Sequence, residues 1–119
     1  MQIRKATIRD LKTIQELRKQ LLNETNRKSL NSDKLMETYL NRSTSLFLIV
    51  EINNDIVGFI HAINDYIHDL YVKPEYRNKG IGTKLLNSLP KQKYKVTTEN
   101  KRFYQKNGFK ENQFMSKLT

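Results

Sequence analysis

Two runs of β-forming residues, Leu46-Phe47-Leu48-Ile49-Val50 and Ile56-Val57-Gly58-Phe59-Ile60, flank the tripeptide Asn53-Asn54-Asp55. Asparagine and aspartate enter tight turns more readily than other side chains, so this pattern predicts an antiparallel hairpin. A lone hairpin is marginal in water and needs more strands or a covering helix. Both are at hand. Gln2 to Thr7 reads as a short strand, after which Thr7 or Asp10 can cap a helix. Leu11, Ile14, Leu17 and Leu21 recur there at helical spacing, and the helix should run to about Thr25. Asn26 to Asn31 is a polar break, and Ser32 can cap a second helix through Leu35, Met36, Tyr39 and Leu40. Past the hairpin, Asn64-Asp65 offers another turn before a strand from Tyr66 to Val72, which Pro74 ends because it has no N–H to donate. Gly80 to Leu89 reads as a helix stopped by Pro90, Tyr94 to Thr98 as a strand, and Lys101 to Asn107 as a short helix. Gly108 stands where a left-handed terminal residue is wanted, and Phe109 to Leu118 reads as extended chain in one or two short strands. The order β-α-α-β-β-β-α-β-α-β describes an α/β (α+β mixed) layer structure, with helices covering a mostly antiparallel sheet.

A chain of 119 residues has room for one core, so residues 1–119 are expected to form a single domain. With no cysteine, disulfides, cysteine-bound zinc and thiol catalysis are excluded. No metal ligand set stands out. The longest apolar run, Leu46 to Val50, is strand-sized, so no membrane partner is expected. Met1 to Ala6 lacks the apolar stretch of a secretory signal, and a cytoplasmic location is the expectation. The formal net charge of +10 calls for an anionic partner: nucleic acid, a membrane surface or a polyphosphate cofactor. Its lysines and arginines are dispersed without a block of five, which argues against a nucleic-acid-binding tail.

The chemistry concentrates between His68 and Thr83, where a strand ends and a glycine-punctuated loop, Arg77-Asn78-Lys79-Gly80-Ile81-Gly82, opens a helix. A helix start exposes unpaired N–H groups and a partial positive charge, which suit a phosphate. Glycine at 80 and 82 is expected to let a diphosphate approach those amides, and Arg77 and Lys79 add charge. The spacing is neither that of a Walker A loop nor that of a dinucleotide fingerprint. The structural alternative is a helix start whose glycines serve close packing.

The run Leu70 to Gly82 resembles the acetyl-coenzyme A signature of the GNAT superfamily of N-acetyltransferases. Asn100-Lys101-Arg102-Phe103-Tyr104-Gln105-Lys106-Asn107-Gly108-Phe109 is similar to that family's closing helix and strand, in the family's order. The opening Ile3 to Thr7, followed by Asp10-Leu11, is also typical. The resemblance implies a twisted, mostly antiparallel sheet of about six to seven strands, with about four helices on both faces. It implies transfer of acetyl from acetyl-CoA to a primary amine by direct attack in a ternary complex. It further implies that the backbone of Leu70, Tyr71 and Val72 pairs with the pantetheine arm, and that the amides of Asn78, Lys79, Gly80, Ile81, Gly82 and Thr83 hold the diphosphate beside Arg77. Asn100 would bond the pantetheine amides or serve only as a helix cap. Tyr104 would protonate the departing thiolate.

An acceptor amine with a pKa near about 10.4 must lose a proton before it attacks, and histidine titrates close to neutrality. By resemblance His68 and Asp69 are the candidates to take that proton; a water chain is the other route, and both residues could simply be structural. His61 is read as structural. Three functions follow: an active N-acetyltransferase, a non-catalytic acyl-CoA-binding module of the same fold, and a basic nucleic-acid-binding protein, the last suggested by charge alone. The acceptor, and the choice between monomer and homodimer, are not encoded in any visible motif.

Overall fold

The computed structural model describes residues 1–26 and 37–115. Five strands form one sheet in sequence order: β1 (Gln2–Lys5), β2 (Ser45–Ile52), β3 (Asp55–Ile63), β4 (Tyr66–Val72) and β5 (Lys95–Val96). The first four pair antiparallel, and β5 joins β4 in parallel. Helix α1 (Leu11–Glu24) connects β1 toward β2, α2 (Ile81–Asn87) lies between β4 and β5, and α3 (Lys101–Lys106) follows β5. Residues 37–40 are helical; the start of the second helix expected at Ser32 lies outside the described residues.

The expected hairpin is present, and Asn53 and Asn54 both take positive φ, 52° and 65°. That backbone matches the right-handed twist of the strands it joins. Successive side chains of a strand point to opposite faces. Phe47 and Ile49 therefore meet Phe59, Tyr71 and the α1 residues Ile14, Leu17 and Leu21 on one side. Leu48, Val50, Ile60 and Ala62 meet Ile81, Leu85, Leu89, Tyr94 and Tyr104 on the other. The helices thus cover both faces, as expected. Each fully buried aliphatic side chain contributes about 1.5–3 kcal/mol, so α1 is held mainly by its apolar stripe.

Among the described residues the sheet has five strands, against the six to seven expected. No strand of the sheet forms among the described residues after Gly108: Glu111–Gln113 forms a 3-10 turn, and Phe114 makes a single bridge to Val96, while residues 116–118 of the expected stretch lie outside the described residues. Gln113 explains this locally. Its Oε1 accepts from the Lys110 N–H at 2.9 Å and its Nε2 donates to the Tyr94 carbonyl at 2.9 Å, which curls the segment against the strand instead of along it. Strand β5 is also shorter than the expected Tyr94 to Thr98. Among the described residues, no helix is long and apolar enough to cross a membrane.

Candidate functional site

The site is built where β4 and β5 part. Their pairing covers only Tyr66 with Lys95 and Ile67 with Val96, yet β4 continues to Val72. From residue 68 onward its outer edge has no strand beside it among the described residues. The Lys73 N–H donates to the Val57 carbonyl at 2.8 Å. Main-chain groups alternate sides along an antiparallel strand, so Asp69 and Tyr71 bond toward β3. Leu70 and Val72 therefore turn their N–H and C=O groups to the open edge. This is the geometry that a further extended chain, such as an amide-bearing arm, can pair with.

A β-bulge lies at the start of that edge. His61 faces Asp69 while Ala62 faces Ile67, which leaves His68 as the extra residue. The bulge inverts the facing of the strand: Ile67 packs in the layer of α2, whereas Tyr71 packs against α1. Asp69 turns the same way and is buried, where Arg18 of α1 donates from Nε to its Oδ2 at 2.8 Å. His68 itself is half-buried, with ring centroids 5.3 Å from His61, 6.4 Å from Tyr66 and 6.5 Å from Tyr39.

His61 is buried, stacked on Phe47 at 3.7 Å between centroids, with Nε2 2.6 Å from Ser45 Oγ. Burial, assisted by His68 and Arg18, pulls its pKa down to about 3. It is accordingly neutral near physiological pH. The nearest potential ligand atoms of His61, His68 and Asp69 lie within 4.8 Å of one another. The Asp69 carboxylate of this cluster is already paired with Arg18.

At the other end of β4 the chain turns through Pro74–Tyr76 into the glycine loop. Asn78 and Gly80 take φ of 63° and 80°, and Gly80 caps α2 in the left-handed conformation. A Cβ on Gly80 would meet nothing within 4 Å, so this glycine serves the backbone turn and leaves open space in front of it. Gly82 does something else. A Cβ there would lie 3.1 Å from Phe103 Cζ, so its bareness lets α2 pack on α3. Helix packing, the structural alternative for these glycines, thus applies to Gly82. Ile81 points its side chain into the core, and Thr83 is half-buried.

The two loop cations also differ. Arg77 Nε donates to the Val72 carbonyl at 2.8 Å, and Nη2 reaches both Glu24 oxygens at 2.9 and 2.8 Å. Its charge is engaged by α1, not presented bare at the loop mouth. Lys79 Nζ lies 5.7 Å from the centre of the Tyr76 ring. Asn100 caps α3, its side-chain oxygen 3.4 Å from the Phe103 nitrogen, a long contact. Tyr104 is buried, with ring centroids 5.1 Å from both Phe103 and Phe109. Arg18 and Glu24 are the partners the sequence did not single out. Both stand on one helix, and neither lies in a motif.

Residues 43–111 match the family described as Acetyltransferase (GNAT) domain. The uncharacterized N-acetyltransferase YafP of Escherichia coli (strain K12) is 39% identical over 62 residues, a stretch covering 49% of this chain and 41% of that protein. The chain therefore spans about two fifths of that curated relative. In three dimensions the chain is similar to a predicted acetyltransferase from Clostridium acetobutylicum solved with acetyl-CoA, with TM-score 0.80 and 23% identity. That match covers 99% of this chain and 95% of the other. It is also similar to AAC(6')-Iy in complex with the bisubstrate analog CoA-S-monomethyl-acetylneamine, with TM-score 0.78, 19% identity and coverage of 99% and 96%. These likenesses extend the shared fold over nearly the whole chain. The parted strands, the left-handed glycine loop and the family match over 43–111 identify the chain as a member of the GNAT acetyltransferase family.

Proposed function

We propose that this protein is an acetyl-CoA-dependent N-acetyltransferase that acylates a primary amine within a ternary complex. The observation that carries this reading is the open edge of β4, which ends beside the left-handed loop of Asn78 and Gly80. The edge suits the amides of a pantetheine arm, and the loop's main-chain N–H groups suit a diphosphate. The C. acetobutylicum structure contains acetyl-CoA and the AAC(6')-Iy structure a coenzyme A bisubstrate analog, which supports the same ligand here.

In this reading an outer-edge N–H, Leu70 or Val72, stabilises the oxyanion that forms when the amine attacks the thioester carbonyl. We assign the proton from the amine to His68, directly or through water. Asp69 is the weaker candidate because it is buried in an ion pair with Arg18. As the C–S bond breaks, the Tyr104 hydroxyl donates its proton to the thiolate. A phenol near pKa about 10 is matched to a thiolate near about 8.5. The products are the N-acetyl amine and free coenzyme A.

The test is incubation with acetyl-CoA and a panel of small amines, peptides and aminoglycosides, following thiol release. Acceptor-dependent release supports the enzyme. Tight coenzyme A binding with release at background for every amine favours the acyl-CoA-binding module instead.

A further inference from the structure

Glu24 stands in the last turn of α1, 53 residues before the loop residue it touches. Its carboxylate accepts from Arg77 Nη2 on both oxygens, and the Tyr71 hydroxyl lies 3.0 Å from its Oε1. The same hydroxyl is 3.1 Å from Gln20 Oε1, one turn earlier on α1. The Arg77 guanidinium lies over the Tyr71 ring, 5.3 Å from its centre, while its Nε caps the Val72 carbonyl at 2.8 Å. That carbonyl is the last on the open edge of β4. A side chain from α1 therefore fixes the loop residue that clasps the end of the edge.

We propose that Glu24 is a positioning residue for the cofactor loop, holding the Arg77 guanidinium on the Val72 carbonyl so that the amides of residues 78–83 are aimed at the diphosphate. The inference rests on the coenzyme A reading of this loop. Two features separate the arrangement from an ordinary surface ion pair. The guanidinium is held by a main-chain carbonyl, a carboxylate and an aromatic face together, so its orientation is defined. The carbonyl it holds belongs to the proposed site itself. Arg77 and Glu24 are each about 40% exposed as side chains, at 39% and 40%, so the effect belongs to the aim of the loop more than to global stability.

Coenzyme A affinity is measured by calorimetry for the unaltered protein, Glu24→Ala, Arg77→Lys and the double variant, with kcat and the KM for acetyl-CoA for the best amine. Each single change is expected to weaken coenzyme A by about threefold to fivefold, the size of a partly exposed charged pair. The double variant should be no weaker than the poorer single, because both act through one contact. KM should rise with kcat nearly unchanged, and the melting temperature should stay close to that of the unaltered protein. Unchanged affinity in Glu24→Ala, or losses that multiply in the double variant, overturns the proposal. So does failure of Glu24→Ala to fold, since a positioning role leaves the fold intact; Arg77→Lys on the exposed loop repeats the affinity test independently. If the unaltered protein binds no coenzyme A, the functional reading falls and this inference with it. Binding without a Glu24 effect removes the inference alone.

Discussion

His61 should make the fold acid-sensitive, by an amount its burial sets. The ring is 1% exposed and its pKa falls from the ordinary 6.5 to about 3. An unfolded chain takes up that proton near pH 6.5; the folded chain refuses it until near 3. Between those values the unfolded state binds more protons, so stability falls as pH falls, by up to about 1.4 kcal/mol per pH unit. Above the unfolded pKa the group contributes no pH dependence. Between about pH 7 and pH 5 the loss from this one group is about 2 kcal/mol. Urea unfolding at both pH values, for the unaltered protein and for His61→Phe, isolates the contribution. Phenylalanine keeps a ring against Phe47 and removes the titration; the lost contact with Ser45 is common to both conditions and cancels. The variant should lose about 2 kcal/mol less than the unaltered protein between the two conditions. Equal losses would refute the assignment of a buried, neutral His61.

Arg18→Met should cost about 3–5 kcal/mol in urea unfolding, because it leaves the buried Asp69 carboxylate without its cation; a loss below about 1 kcal/mol would mean the pair is not buried as described. Gly82→Ala should fall short of the gain of about 1 kcal/mol that alanine normally brings to a helix, since its methyl would lie 3.1 Å from Phe103 Cζ, and the full gain in urea unfolding would contradict the tight α2–α3 packing. Tyr104→Phe should reduce kcat by about 10²-fold or more at nearly constant coenzyme A affinity, and an unchanged rate would remove its proposed role as acid.

Local features were legible because the residues themselves carry them. Asn53 and Asn54 announce a positive-φ turn, Asn64 repeats it at φ 52°, and Gly108 ends α3 at φ 89°. The apolar stripe of Ile14, Leu17 and Leu21 lies buried on α1 as its spacing predicts. What was not legible depends on direction and distance. Glycine reports a missing Cβ but not what lies where the Cβ would be, so Gly80 and Gly82 looked alike and serve different ends. The ion pairs of Arg18 with Asp69 and of Arg77 with Glu24 join residues 51 and 53 apart, and no local spacing encodes them. The strand count failed for a similar reason. The stretch after Phe109 is expected to be extended, but Gln113 bonds the main chain of Lys110 and Tyr94 and curls its described part into a turn. The bulge at His68 was also hidden, since it needs the register of two strands to be seen.

An amide-resolved NMR titration with coenzyme A asks the most direct question. If the free edge and the glycine loop hold the ligand, the Leu70 and Val72 amides and those of residues 78–83 should shift together, with one saturation curve. Tyr71, whose main chain bonds toward β3, should move less than its two neighbours. Shifts confined to other surfaces, with the 78–83 amides still at saturating ligand, would contradict the site.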